Sequence, residues 1–303
     1  MPDPFSDILY PMFYIFLIYF FLLGIVIGSF LNVVILRLNT GRTTGGRSAC
    51  MTCSNPLSAK ELVPVLSYIF QRGKCRHCKT YISIQYPLVE FATALLFAGN
   101  FILIQSFTTS LYQFIPLYIL SSSMLALLVA IFVYDLKHHI IPDQFSFTLA
   151  GLSVAYLITT FLCFGINPYW IQSIPSTQNL NSFFTSPLFF LNAGAGIVLY
   201  LAIYLLWKLS KGRLIGLGDA KLLFGIGTVL GFVYGLSAFF LSFWIGALFA
   251  FGVMLRQHLN RSQNHITMKS EIAFGPFLII AFLIVYFFKI DVTNIGFILE
   301  NFL

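Results

Sequence analysis

The sequence predicts an all-α polytopic membrane protein of about eight transmembrane helices, with one small water-facing loop domain. Three observations predict it. Of the 303 residues, 58% are hydrophobic and only 9% are charged, against about 25% charged in an ordinary soluble domain; mean hydropathy is +0.89. Apolar runs long enough for the roughly 20 helical residues that cross a bilayer core recur along the chain. They are too continuous for the alternating strands of a membrane barrel. The charges that remain are sorted into the segments between the runs.

The elements follow in order. The first span covers residues 10–36. Asp3 and Asp7 precede it where a signal peptide would carry basic residues, and the run exceeds a signal h-region, so it reads as a spanning helix rather than a cleaved leader. Further spans fall at about 83–106, 113–134, 144–165, 186–208, 221–233, 235–255 and 272–289. The sixth and seventh share one apolar run, 222–255, too long for one crossing and short for two. Gly225, Gly227, Gly231 and Gly235 within it suit a tight re-entry and close helix packing. With the N-terminus outside, the inner segments 37–82, 135–143, 209–221 and 256–271, with Lys208 at their edge, hold 16 of the 17 Lys and Arg residues. That asymmetry is the positive-inside pattern, and it favours two crossings in 222–255. The net charge of +7 therefore reports topology and contact with anionic lipid headgroups, and no nucleic-acid partner is expected. The outer loop 166–185 is uncharged and rich in Asn, Ser and Gln. No internal repeat is visible.

Three parts are expected: the first helix (1–36), the loop domain (37–82) and a membrane core (83–303). The loop carries Cys50, Cys53, Cys75 and Cys78 as two C-x-x-C pairs, a spacing close to that of zinc ribbons. Four thiolates satisfy tetrahedral Zn²⁺ and leave no position open for catalysis. A loop this short has little apolar surface to fold on, so a structural metal staple makes physical sense. Two disulfides are the alternative, and they are rare in the cytoplasm, where the charge pattern puts the loop. His77 is expected to be exposed and Cys163 to be packing.

Five acids lie in or beside the spans: Glu90, Asp135, Asp143, Asp219 and Glu271. Such groups are costly there and are functional candidates. Asp143 follows Pro142 at the start of a helix, where a carboxylate suits the dipole and free N–H groups. Asp135 ends a helix, where the dipole opposes an anion, so capping does not explain it; pairing with Lys137 is the simple alternative. Asp219 opens another helix on the same side, between glycines Gly216 and Gly218, which free the backbone and allow close approach. Two carboxylates at one depth on different helices suggest a dyad that shares a proton, the arrangement of aspartic-protease chemistry. A proton-coupled transporter is the competing class. It predicts acids near the bilayer midplane and, often, an inverted repeat, whereas Asp135, Asp143 and Asp219 gather at one edge.

Six motifs in order resemble the type IV prepilin peptidases, bacterial inner-membrane aspartic proteases. They are GSFLNVVILRL (28–38), the cysteine pairs GRSACMTC and RGKCRHC, YPLVEFATALLF (86–97), YDLKHHIIPD, GLGDAKLL and FGPFL (274–278). The resemblance implies that Asp135 and Asp219 are the catalytic pair. It implies cleavage of the basic leader of type IV prepilins and pseudopilins after a glycine at the cytoplasmic face. It also implies N-methylation of the new terminus from S-adenosylmethionine, with Gly73 and Glu90 as the positions matching that part of the family. A peptidase without methyl transfer is the alternative. Lys221 is expected to hold Asp219 or its loop, and His138 and His139 to belong to a hydrated loop. Met51 stands where many members have proline, which spares the ligands.

Overall fold

The computed structural model describes residues 6–40, 45–165, 187–259 and 273–293. The outer loop 166–185, residues 260–271 of the inner basic loop, and Glu271 lie outside the described residues. The elements are α1 (Ser6–Arg37), a 3₁₀ turn (Ala59–Glu61), α2 (Leu66–Phe70), α3 (Gln85–Gln105), α4 (Leu111–His138), α5 (Asp143–Phe164), α6 (Pro187–Ala193), α7 (Ala195–Ser210), α8 (Leu217–Leu230), α9 (Phe232–Leu259) and α10 (Gly275–Phe288). Among the described residues there are no strands, only two isolated bridges. Among the described residues, five helices are long and apolar enough to cross a bilayer: α1, α3, α4, α5 and α9. The chain is thus an all-α, multi-pass membrane protein. α7 and α10 are apolar but shorter.

Two expectations about the spans are refined. The fifth predicted span is interrupted at Gly194, which separates α6 from α7. The run 222–255 is two helices rather than one long tilted helix, the division that the charge pattern favours. They part at Gly231, whose φ of 82° and ψ of −177° lie outside the range of residues with a side chain. Asn192 reaches this break, its Oδ1 accepting the Phe232 N–H at 2.9 Å. That satisfies one donor at the start of α9, where no intrahelical acceptor exists.

Contacts divide the chain into two compact units: Met1–Phe114 with Leu125–Ala130, and Ile115–Met124 with Ile131–Leu303. In the first, α1 packs along α3. Gly24 and Gly28 form the contact. A Cβ at Gly24 would lie 2.6 Å from Ala94 Cα, and one at Gly28 would lie 2.7 Å from Glu90 Cα. This is G-x-x-x-G packing, in which backbones touch because nothing else fits. The spacing is legible in the sequence, although the motif reading passed over it. Further along the same pair, Phe101 gathers the rings of Phe13, Phe16, Phe20 and Phe114 at 5.0–6.4 Å.

In the second unit α8 is central, packed by α5, α7, α9 and α10. Its residues from Asp219 to Leu230 are mostly buried. Small residues make this possible: Gly227 meets Gly196 and Leu199 of α7, and Gly235 of α9 meets Gly227. At 14 residues, α8 is about 21 Å long, short of a ~30 Å hydrocarbon core. Asp219, in its first turn, is therefore carried on a helix too short to span alone and packed on several sides.

Candidate active site and metal-binding loop

In the second unit, α4 and α8 each bring a carboxylate to the same place. Asp135 lies in the last turn of α4 and Asp219 in the first turn of α8; they are 4% and 7% exposed. The two interact electrostatically. Asp219 Oδ2 accepts the Gly216 N–H at 3.2 Å, which fixes the carboxylate against the start of its own helix. At His139, with φ 53°, the chain turns out of α4, and its N–H bonds Asp135 C=O at 2.8 Å. Ile141 then packs against the glycines beside both carboxylates. A Cβ on Gly218 would stand 3.0 Å from Ile141 Cβ, and one on Gly275 would stand 3.1 Å from Ile141 Cδ1.

The glycines around Asp219 act through space rather than dihedral freedom. Gly216 has φ −75° and ψ 149°, values open to any residue. What it lacks is the Cβ, which would lie 3.2 Å from Asp219 Oδ2. Gly275, at the start of α10, is the residue that sequence reasoning did not single out. A Cβ there would meet Asp135 Oδ2 at 2.5 Å, so the last helix presses its backbone onto the first carboxylate. The signal was present in FGPFL, but 140 residues of sequence separate it from Asp135. Gly275→Val is expected to displace the Asp135 carboxylate and remove peptidase activity while the protein still inserts, which a cleavage assay normalised to membrane abundance checks.

Lys221 is placed differently from the expectation. It pairs with Asp143, not Asp219, and its ammonium lies 5.3 Å from the Phe147 ring centroid. The reason is helical geometry: Lys221 follows Asp219 by two residues, which puts them on different faces. The pair ties the first turns of α5 and α8 beside the aspartates. Asp143 is 69% exposed, so the bridge is worth about 0–1 kcal/mol. Lys221→Asp is expected to lower cleavage without lowering thermal stability measurably, and the exchange Asp143→Lys with Lys221→Asp to recover part of it. Lys137, His138 and His139 are exposed.

In the first unit, the sulfurs of Cys50, Cys53, Cys75 and Cys78 lie within 4.8 Å of one another, with Cys50 and Cys78 Sγ 3.8 Å apart. A tetrahedron with metal–sulfur bonds of about 2.3 Å has edges of about 3.8 Å, so the four cysteines could hold a metal ion. His77 is exposed and outside the cluster. The two pairs are built alike. In each, the first cysteine N–H donates to a carbonyl five residues on (Asn55, Thr80), and its C=O accepts from four residues on (Ser54, Lys79). Ser54 and Lys79 both have positive φ, 57° and 62°. The bridges Ala49–Pro56 and Lys74–Tyr81 occupy equivalent positions. The absence of internal repetition is corrected here: a ten-residue hairpin recurs at an offset of 25 residues, marked in sequence only by the cysteines.

Hydrogen bonding from the Thr80 hydroxyl and N–H lowers Cys78 to about 6. Cys53, despite the Asn55 N–H, is pushed up to about 11 by desolvation and the neighbouring sulfurs. Four thiolates this close repel, and a divalent cation removes that repulsion. Gly73 lies two residues before Cys75, with φ 66°; a Cβ there would meet Tyr68 Oη at 3.0 Å. Glu90 is buried, and Oε2 accepts the Val65 N–H at 2.7 Å. Glu90 also accepts a hydrogen bond from the Ser29 side chain of α1, so it links the loop to the first two long helices.

A helical membrane protein with two buried aspartates brought together from separate helix ends has the parts of a membrane aspartic peptidase. The chain belongs to the type IV leader peptidase family: the model of that family matches residues 122–251, and that of the bacterial peptidase A24 N-terminal domain matches residues 22–104. It is 33% identical over 245 residues to the prepilin leader peptidase/N-methyltransferase of Bacillus subtilis (strain 168), covering 80% of this chain and 85% of that protein. The proteins of the same name from Aeromonas salmonicida (strain A449) and Vibrio cholerae serotype O1 are 29% and 28% identical. They cover 86% and 90% of this chain, and 87% and 97% of their own lengths. No solved structure matches the chain.

Proposed function

We propose that this protein removes the basic leader from type IV prepilins and pseudopilins, after a glycine at the cytoplasmic face of the bacterial inner membrane, and then N-methylates the new terminus. The observation that carries the peptidase reading is the pair Asp135–Asp219, both buried and mutually interacting. In this mechanism one carboxylate is ionised and takes a proton from water. The water oxygen attacks the scissile carbonyl carbon while the other carboxyl protonates the carbonyl oxygen. Collapse of the tetrahedral intermediate breaks the C–N bond, and the leaving amine takes up a proton. Gly216 and Gly275 are positioning residues for the two carboxylates, and Asp143 with Lys221 holds the helix starts.

The distribution of Lys and Arg supports an N-terminus outside and the loop 37–82 inside. The metal of Cys50, Cys53, Cys75 and Cys78 is zinc, held structurally: four thiolates fill a tetrahedron and leave no site for substrate. The first unit, with the loop, carries methyl transfer, and S-adenosylmethionine supplies the methyl group. Family membership, not a pocket formed by Gly73 or Glu90, supports that assignment.

Reconstituted with a prepilin and labelled S-adenosylmethionine, the full chain is expected to release the leader and label the mature amino terminus. Leader release without label supports a peptidase alone. An intact prepilin overturns the reading.

A further inference from the structure

We propose that α2 and the turn before it form a membrane-surface anchor, seated in the headgroup and acyl boundary of an anionic bilayer. The inference does not rest on the assigned activity. Within the first unit, Leu62, Val63, Leu66, Ile69 and Phe70 expose 42%, 43%, 52%, 60% and 77% of their surface. Five large apolar side chains are thus exposed within nine residues, and Leu66, Ile69 and Phe70 share one face of α2 by their i, i+3, i+4 spacing, the kind of exposure that marks an interaction surface.

The depth of the patch follows from Glu90. This residue lies five positions into α3, about 7.5 Å along a spanning helix from Gln85, and its carboxylate accepts the Val65 N–H at 2.7 Å. Val65 has φ 60° and ψ −54°, and the Leu66 N–H bonds Pro64 C=O across it at 2.6 Å. That is a γ-turn on a β-branched residue, a strained conformation. The turn holds the start of α2 at the level of the second turn of α3, where Leu88 is itself 58% exposed. α2 therefore cannot stand off in water while α3 crosses the bilayer.

Charge selects the occupant. Between Gly45 and Ile84 the chain has six Lys and Arg residues, at 47, 60, 72, 74, 76 and 79, all exposed. The single acid, Glu61, is buried and accepts the Ser58 N–H and hydroxyl. Tyr81 is 78% exposed with the Lys74 ammonium 4.9 Å from its ring centroid, a tyrosine–lysine pairing suited to the headgroup layer. Apolar side chains beside a purely cationic rim are the signature of an interfacial segment, which sinks about 5–10 Å into the boundary, with anionic lipid balancing the rim.

The test uses the full chain in vesicles of phosphatidylglycerol and phosphatidylcholine. Phe70→Trp is made in a chain whose Trp170, Trp207 and Trp244 are Phe, and its fluorescence is read with acyl-brominated lipid and with aqueous acrylamide. The expected result is strong loss of emission to brominated lipid and little to acrylamide. Quenching by acrylamide alone overturns the proposal, because the patch then faces water. Protection from both overturns it too, because protein then covers the patch. If the tryptophan replacements prevent insertion, a photo-crosslinking residue at position 70 of the otherwise natural chain decides. Adducts to phospholipid support the anchor, and adducts to protein or to nothing overturn it.

Discussion

Membranes carrying Asp135→Asn or Asp219→Asn are expected to leave a prepilin uncleaved, although each variant reaches wild-type abundance. The argument is one of proton inventory. An asparagine fills the same space as the aspartate and keeps a carbonyl oxygen, so Gly216 N–H retains an acceptor at position 219 and the contact with Gly275 is preserved at 135. What is lost is the ability to take or give a proton. General acid–base catalysis contributes about 10²–10⁴-fold per group, and each variant removes one group of a pair that works as a unit. The double variant is therefore expected to fall little below either single one. The measurement is leader removal in isolated membranes, read by gel shift and mass, with insertion checked by protease accessibility. Cleavage by both single variants at near wild-type rate would show that the carboxylates are structural. The transporter reading would then return, testable by proton uptake into vesicles.

Cys75→Ser is expected to release the metal and unfold the loop while sparing the core. Structural zinc binding supplies about 10–16 kcal/mol of folding free energy in small sites, far more than a segment with so few buried apolar residues obtains from packing. Among Gly45–Ile84, Cys75 is one of the few fully enclosed side chains, 3% exposed. Its N–H and C=O close the second hairpin. Loss of one ligand leaves three thiolates and an incomplete tetrahedron. The expected readouts are substoichiometric zinc by elemental analysis and trypsin cleavage after Arg72, Lys74 or Arg76 in detergent-solubilised protein. Methyl transfer is expected to fall with the loop. A variant that keeps both zinc and trypsin resistance would rule out the four-cysteine site.

Much of this was legible before any coordinates. The helices sit where hydropathy puts them, because in lipid the backbone has no alternative to internal hydrogen bonding. The split of 222–255 agrees with the charge pattern, because a single crossing would set the basic segment 256–271 opposite the other basic segments. Asp135 stood out because a helix C-terminus disfavours an anion, and Cys50, Cys53, Cys75 and Cys78 because their spacing has few other uses. What stayed hidden involves partners distant in sequence. Nothing local ties Gly275 to Asp135 or Glu90 to Val65, and Lys221 has two aspartates within chemical reason, of which only packing selects Asp143. The hairpin repeat was hidden for a different reason: it is carried by backbone hydrogen bonds, and SACMTCSNPL and GKCRHCKTYI share little beyond the cysteines.

The duplicated hairpin also bears on how the chain is built. Each copy closes through hydrogen bonds spanning ten residues or fewer, and contacts so short in sequence form on microsecond timescales, long before distant segments meet. Synthesis proceeds at roughly 5–20 residues per second. The first hairpin is thus complete, with half of its ligands waiting, for a second or more before Cys75 emerges. A metal ion held by all four cysteines would join the two hairpins before Glu90, fifteen residues beyond Cys75, is made. If the proposed zinc binds as the hairpins emerge, metal supply during translation is expected to matter more to the first unit than metal added afterwards, which refolding yield with zinc present during or only after cell-free synthesis checks.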